Sequence, residues 1–296
     1  MQELKSRYPV LEQAKAHTYI DSATYDVMYK QSIEQPDVFW AEQADKFLDW
    51  YQPWDHVSDV DLKSADIKWF SGGKLNVSYN CIDRHLVSKA NETAIIWEGD
   101  DPSEDKKISY QELHDHVCRF ANLLKARGVK KGDRVCIYMP MIPEIGYAML
   151  ACARIGAVHS VVFGGFSTEA IRSRIIDADC QVVITSDESL RGGRVIPIKS
   201  NVDAAIADCP NVHSVIVVER TGGDITWNDK VDVNYQQEVA KLPAACQPEV
   251  MDAEDPLFIL YTSGSTGTPK GVLHTCGGYL LYAAMTHKYV FDYKDG

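Results

Sequence analysis

The order of apolar runs along this chain limits the folds open to it more than any other feature. Short apolar segments recur at residues 94–97, 134–138, 157–163, 181–185, 213–218 and 257–261, with helix-patterned stretches between them. Most of these runs are continuous rather than alternating, as expected of strands buried on both faces. Ser109 and Glu112 form a capping-box pattern ahead of Leu113, Val117, Phe120 and Leu124 at helical spacing, and Gly128 is the stop. A second helix is expected from Pro143 to Ile155, closed by Gly156. Strand, helix, strand, helix in succession implies parallel pairing through right-handed crossovers. The expected class is therefore α/β, with layered parallel β-sheets flanked by helices.

Before residue 80 the texture changes. Five of the six tryptophans lie in the first 97 positions, and Trp40, Ala44, Phe47 and Leu48 fall on one helical face. That face reads as an aromatic-rich element packing on the main body rather than as a ligand cage. The expected division is a tail over 1–20, a helical N-terminal extension over 21–82, and over 83–296 the first part of a large domain, incomplete at its C-terminal end. The chain stops at Tyr293-Lys294-Asp295-Gly296, soon after its strongest motif and without a closing element.

With 30 Lys and Arg against 42 Asp and Glu, the formal net charge of -12 disfavours broad attraction to nucleic acid or to an anionic membrane. Any anionic ligand must then be gripped locally. No signal-peptide pattern opens the chain, and no stretch approaches the roughly 20 apolar residues of a membrane span, so a cytoplasmic location is expected. The eight cysteines are scattered without the close pairs of a zinc ribbon or redox dithiol, and read as reduced structural thiols.

The strand-like run 257–261 leads at once into Thr262-Ser263-Gly264-Ser265-Thr266-Gly267-Thr268-Pro269-Lys270-Gly271. Three glycines let backbone N–H groups approach an anion, five hydroxyls add donors, and Lys270 supplies a mobile positive charge, a composition suited to polyphosphate. Thr268 and Pro269 separate Gly267 from Lys270, so this is not a Walker A loop and kinase-type chemistry is disfavoured. An ordinary flexible loop is the bland alternative, but linkers seldom follow a buried strand with a Pro-Lys-Gly exit.

The segment 259–270 resembles throughout the signature loop of the adenylate-forming superfamily, which includes acyl-CoA synthetases, luciferases and peptide-synthetase adenylation domains. Asn76-Val77-Ser78-Tyr79-Asn80-Cys81-Ile82-Asp83-Arg84-His85, Gly164-Gly165-Phe166-Ser167, His274-Thr275 and Gly277-Gly278-Tyr279-Leu280 are similar to its acetyl-CoA synthetase branch. The resemblance implies that Thr262, Ser263, Gly264, Ser265, Thr266, Gly267, Thr268 and Lys270 contact the ATP phosphates, with Lys270 in the catalytic role. It also implies that Arg191, Gly192, Gly193 and Arg194 contact the nucleotide end of coenzyme A. Two guanidiniums can fork onto phosphate oxygens while the glycines let the backbone close around the same group. The alternative for this segment is a solvated turn whose arginines pair with Asp187 and Glu188.

The implied reaction is AMP-forming ligation of acetate to coenzyme A with ATP, through acetyl-adenylate. The implied cofactors are ATP, coenzyme A and Mg²⁺, with the metal ligands, the acyl pocket and a mobile C-terminal domain expected downstream. The chain alone is accordingly expected to be inactive. A propionyl-CoA synthetase and a non-catalytic CoA or nucleotide-binding module are the competing readings. His274 can either reach a substrate or pack beside a strand end. His114 and His116 make a poor metal pair, and Cys276 has no identifiable base.

Overall fold

In the computed structural model, which describes residues 9–263, 267 and 269–294, the chain opens with three helices, α1 (Glu12–His17), α2 (Ser22–Glu34) and α3 (Pro36–Phe47). α3 starts on Pro36, whose missing N–H would be unpaired in a first turn anyway. Ala44 and Leu48 are buried, and Trp40 and Phe47 pack against the same cluster. The expected aromatic face is present. Helix does not continue through the whole extension, however. β1 (His56–Asp61) and β2 (Asp66–Ser71) form an antiparallel hairpin. β1 is largely solvated and rich in Asp, so it lacks the apolar pattern that marks a strand in a sequence. The short β3 (Lys74–Leu75), α4 (Val77–Cys81) and α5 (Leu86–Lys89) follow.

The run at 94–97 lies in β4 (Thr93–Glu98), but it pairs antiparallel with β5 (Asp105–Ser109) in a separate two-stranded sheet. Only part of β4 is covered, so it lacks the two buried faces of a parallel strand. β5 leads directly into α6 (Tyr110–Ala126). There Glu112 N–H donates to Ser109 Oγ at 3.2 Å and Ser109 N–H donates to the Glu112 carboxylate at 2.8 Å, closing the capping box.

The main sheet begins with β6 (Arg134–Met139), α7 (Pro143–Ile155), β7 (Val158–Phe163), α8 (Thr168–Asp177) and β8 (Val182–Ser186). A small antiparallel hairpin, β9 (Ser189–Arg191) and β10 (Arg194–Ile196), precedes α9 (Ile198–Ile206). Next come β11 (Ser214–Val218), β12 (Asp232–Asn234), α10 (Tyr235–Val239), β13 (Met251–Asp252), β14 (Pro256–Thr262), β15 (Lys270–Thr275) and α11 (Cys276–Met285). The seven-stranded sheet has the order β12-β11-β8-β6-β7-β14-β15. Every neighbouring pair is parallel except β14 with β15.

Successive side chains of the central strands enter different cores, as the period of two requires. Val135, Ile137, Val182 and Ile184 join Phe120, Leu124 and Cys152 of α6 and α7. Cys136, Tyr138 and Val183 join Ile171, Ile175 and Val202 of α8 and α9. A third core ties the extension to the body, with Leu75 and Phe70 packed among Met251, Leu257 and Leu281. From β6 the chain moves outward to β7, then returns past β6 to β8, with α7 and α8 on opposite faces. That reversal leaves a crevice at the C-terminal ends of β6 and β7, the usual ligand position in open α/β sheets. No helix among the described residues is long and apolar enough to cross a membrane.

Candidate functional site

A cavity of about 570 Å³ opens in this crevice. Met139 at the end of β6 and Ile142 after it bound it, with Phe163 at the end of β7, Gly164 after it, and Leu260 on β14. Gly164 is required by contact, because a Cβ there would lie 2.7 Å from the Met139 carbonyl oxygen. The glycine therefore lets the end of β7 lie close against the end of β6. Ser167 then caps α8 by accepting from Ala170 N–H at 3.3 Å.

Arg191 and Arg194 face each other across the β9–β10 hairpin, and Gly192 and Gly193 form its tip with φ of 58° and 71°. Two consecutive left-handed residues define a type I′ turn, which accounts for the glycine pair. The turn amides already hold an anion. Gly192 N–H donates to Asp100 Oδ1 at 2.9 Å and Gly193 N–H to Asp100 Oδ2 at 2.8 Å. Bonds from Gly193 and Gly192 keep the Asp100 carboxyl below the usual carboxylate range. The Arg191 guanidinium lies 5.6 Å from the centre of the Phe163 ring.

Asp187, offered by sequence as a partner for these arginines, is committed elsewhere. It is buried and accepts from the N–H groups of Glu188, Arg220, Thr221 and Gly222 at 2.7, 2.8, 3.1 and 2.8 Å. Glu188 accepts from the Thr221 hydroxyl. Among the described residues, no carboxylate comes within 4.0 Å of Arg191 or Arg194. Arg220 lines the opposite wall, over the Trp97 ring at 5.5 Å and bonded to Glu104.

The Ser, Thr and Gly-rich segment joins β14 to β15, so it is the connection of a hairpin rather than the entry to a helix. Tyr261 pairs with Gly271 and Thr262 with Lys270, which puts Lys270 at the base of the loop. Thr262, Ser263, Gly267 and Lys270 are exposed, and Gly267 has φ of 81°. Gly264, Ser265, Thr266 and Thr268 lie outside the described residues. Gly267 and Pro269 border a second opening of about 480 Å³ against Ser167 and Arg174 of the α8 region. Arg174 lies between the Phe166 and Tyr261 rings, 5.2 and 5.1 Å from their centres, and the Tyr261 hydroxyl donates to Asp177 at 2.6 Å. The end of β14 and the start of β15 thus stand at the same edge of the sheet as the main cavity, because β14 runs parallel to β7.

The family model described as AMP-binding enzyme matches residues 82–295. The chain belongs to the AMP-binding enzyme family. A second model, described as acetyl-coenzyme A synthetase N-terminus, matches residues 25–81. The chain is 64% identical over 289 residues to the acetyl-coenzyme A synthetase of Saccharophagus degradans, and 62% identical over 291 residues to acetyl-coenzyme A synthetase 2 of Pseudomonas aeruginosa. Each alignment takes in 98% of this chain and 45% of the relative, so the chain spans about half the length of the curated relatives it matches. Among solved structures, acetoacetyl-CoA synthetase from Streptomyces lividans superposes with a TM-score of 0.84 at 25% identity, over 96% of this chain and 43% of that one.

The other sequence candidates of this AMP-binding enzyme prove architectural. His274 stacks on Phe258 at 4.4 Å and meets the edge of Tyr279. His116 stacks on Tyr147, while His114 lies 3.7 Å from Asp83. All eight cysteines are free, and burial pushes the Cys276 thiol up to about 12, which removes it as a nucleophile. No group of three His, Cys, Asp or Glu side chains among the described residues could hold a metal ion.

Three pairings had no readable signal. Asp100 sits in an acidic loop 92 positions from the turn it binds. Arg220 follows a strand with no motif around it. Asp83, quoted above as part of the acetyl-CoA synthetase resemblance, receives both terminal nitrogens of buried Arg154 at 2.7 and 2.8 Å. Only the fold brings those groups together.

Proposed function

We propose that this chain carries the coenzyme A and ATP-phosphate contacts of an AMP-forming acetate–CoA ligase. The observation that carries the reading is the β9–β10 turn at the mouth of the crevice. Its two tip amides hold the Asp100 carboxylate, and among the described residues its two guanidiniums have no carboxylate within 4.0 Å. A phosphate at the nucleotide end of coenzyme A matches that donor set: two amides and two forked cations around one tetrahedral anion. The names of the relatives point the same way.

In this reading, acetate attacks the α-phosphorus of ATP to give acetyl-AMP and pyrophosphate. The coenzyme A sulfur then attacks the acetyl carbonyl, and AMP leaves with its phosphate oxygen. Both steps gather negative charge on oxygen, so the protein's contribution is positional and electrostatic. Thr262, Ser263, Gly267 and Lys270, with Gly264, Ser265, Thr266 and Thr268, supply amide, hydroxyl and ammonium donors to the triphosphate. Arg191, Gly192, Gly193 and Arg194 orient the thiol donor. Mg²⁺ would offset phosphate charge, but the described residues offer no cluster of three His, Cys, Asp or Glu to hold it. Division of labour with a mobile C-terminal domain accords with relatives about twice this length. Eight free thiols suit a reducing, cytoplasmic compartment.

Acetate-dependent exchange of labelled pyrophosphate into ATP, assayed on the protein in which this sequence occurs, is the expected activity. Stable transfer of the γ-phosphate to an acceptor would instead indicate a kinase and overturn the reading. Faster exchange with propionate than with acetate would move the substrate assignment to the propionyl branch.

A further inference from the structure

We infer that Asp100 is the resident anion of the coenzyme turn, and that coenzyme A binds by displacing it. The inference rests on the reading that this turn takes the phosphate at the nucleotide end. Each Asp100 oxygen accepts one amide from consecutive glycines, at 2.9 and 2.8 Å. Two oxygens of a phosphate would make the same pair of contacts, so carboxylate and phosphate compete for one seat. They cannot share it, because like charges in contact repel and the seat has only two amides.

Asp100 is also free to leave. Its loop is closed without it, by Gly99 N–H to the Glu104 carbonyl at 2.6 Å and by Asp101, which accepts from Ser103 N–H and Oγ at 2.9 Å each. Asp100 itself is exposed and pairs with neither arginine. The incoming phosphate gains the two amides and the uncommitted guanidiniums of Arg191 and Arg194, while the carboxylate returns to water. Asp100 and Arg191 both line the cavity, from opposite hairpins. The exchange therefore releases the β4–β5 loop from the β9–β10 turn at the entrance as the ligand enters. Until then, Asp100 keeps the turn amides from other anions.

Calorimetric titration of the 296-residue chain with coenzyme A and with 3′-dephospho-coenzyme A tests this. Asp100→Ala is expected to tighten coenzyme A by about three- to tenfold, the range for freeing two exposed hydrogen bonds, and to leave dephospho-coenzyme A unchanged. Asp100→Asn, which puts an N–H donor against one of the amides, should shift affinity in the same direction. In the wild type, coenzyme A should move the Asp100 carboxyl carbon resonance toward that of a solvated aspartate. Should Asp100→Ala weaken coenzyme A or leave it unaltered while Arg191→Ala with Arg194→Ala still weakens it, Asp100 is only a brace and the inference is overturned with the site intact. Absence of coenzyme A binding by the wild type, or indifference to the double arginine variant, would remove the site reading and the inference together.

Discussion

Arg154 is one of the deeply buried cations among the described residues. Its side chain is 2% exposed, its terminal nitrogens grip Asp83, and its Nε donates to the Cys246 carbonyl at 2.6 Å. A guanidinium so deeply enclosed is tolerable only because nearly every donor is met. Replacing it with Met removes the cation and leaves the Asp83 carboxylate without its partner. Arg154→Met should cost about 3 kcal/mol, at the low end for breaking one side of a buried pair, read from the midpoint of urea unfolding. Asp83→Asn together with Arg154→Met should recover part of that loss; equal loss in single and double variants would rule out the pairing argument. His159 gives the pH dependence. It is buried against Phe258, its Nδ1 has no partner, and burial pushes its pKa from 6.5 down to about 4. Because the unfolded chain takes up the proton more readily, stability is full above pH 6.5 and falls as pH drops toward 4. His159→Phe should flatten the urea midpoint between pH 7 and pH 4.5. An unchanged slope would place the acid sensitivity elsewhere.

Among the elements, α6 has both ends fixed by residues local to it. Its start is fixed by reciprocal bonds between Ser109 and Glu112, and its end by Gly128 at φ of 84°. Leu113, Val117, Phe120 and Leu124 are all buried along one face. Ser109→Ala removes one half of the box and should lower stability by about 1 kcal/mol, measurable as a fall in Tm with no change in coenzyme A affinity. The β9–β10 hairpin is the contrary case, three residues a side and held by its turn. Gly192→Asn should be nearly neutral because Asn-Gly also adopts the I′ conformation, whereas Gly193→Val forces a β-branched residue into the left-handed region. The valine variant is expected to lose coenzyme A affinity while retaining the far-UV circular dichroism of the parent.

For the whole molecule, the decisive feature is the core shared by the extension and the sheet. Leu75 and Phe70 are fully buried among Met251, Leu257 and Cys276, and Asn76 donates to the Ala153 and Glu249 carbonyls at 3.1 and 2.9 Å. An extension bound this way cannot melt ahead of the body. Tryptophan fluorescence, which reports mainly on the first 97 residues, and far-UV circular dichroism should therefore give coincident urea transitions. A fluorescence transition at lower urea would show the extension to be a separate folding unit.

Periodicity and punctuation determined what the local chain could settle: the apolar runs of β6, β7, β8, β11 and β14, the helices from Ser109 and Pro143, and the glycine stops. These signals are readable because hydrophobic burial, capping and positive φ act on neighbours within a few residues. Pairing was less legible. The run at 94–97 forms a strand but stands outside the main sheet, and the Asp-rich hairpin at 56–71 carries no apolar alternation to announce it. The site was legible as a turn and a loop rich in donors, not as a working arrangement. Which anion fills the turn, that Asp187 takes the amides of Arg220, Thr221 and Gly222 instead of an arginine, and that Arg154 meets Asp83 were decided by tertiary contacts across 33 to 92 positions. A carboxylate's partner is set by distance in space through charge and hydrogen bonding, and linear spacing alone does not encode that distance.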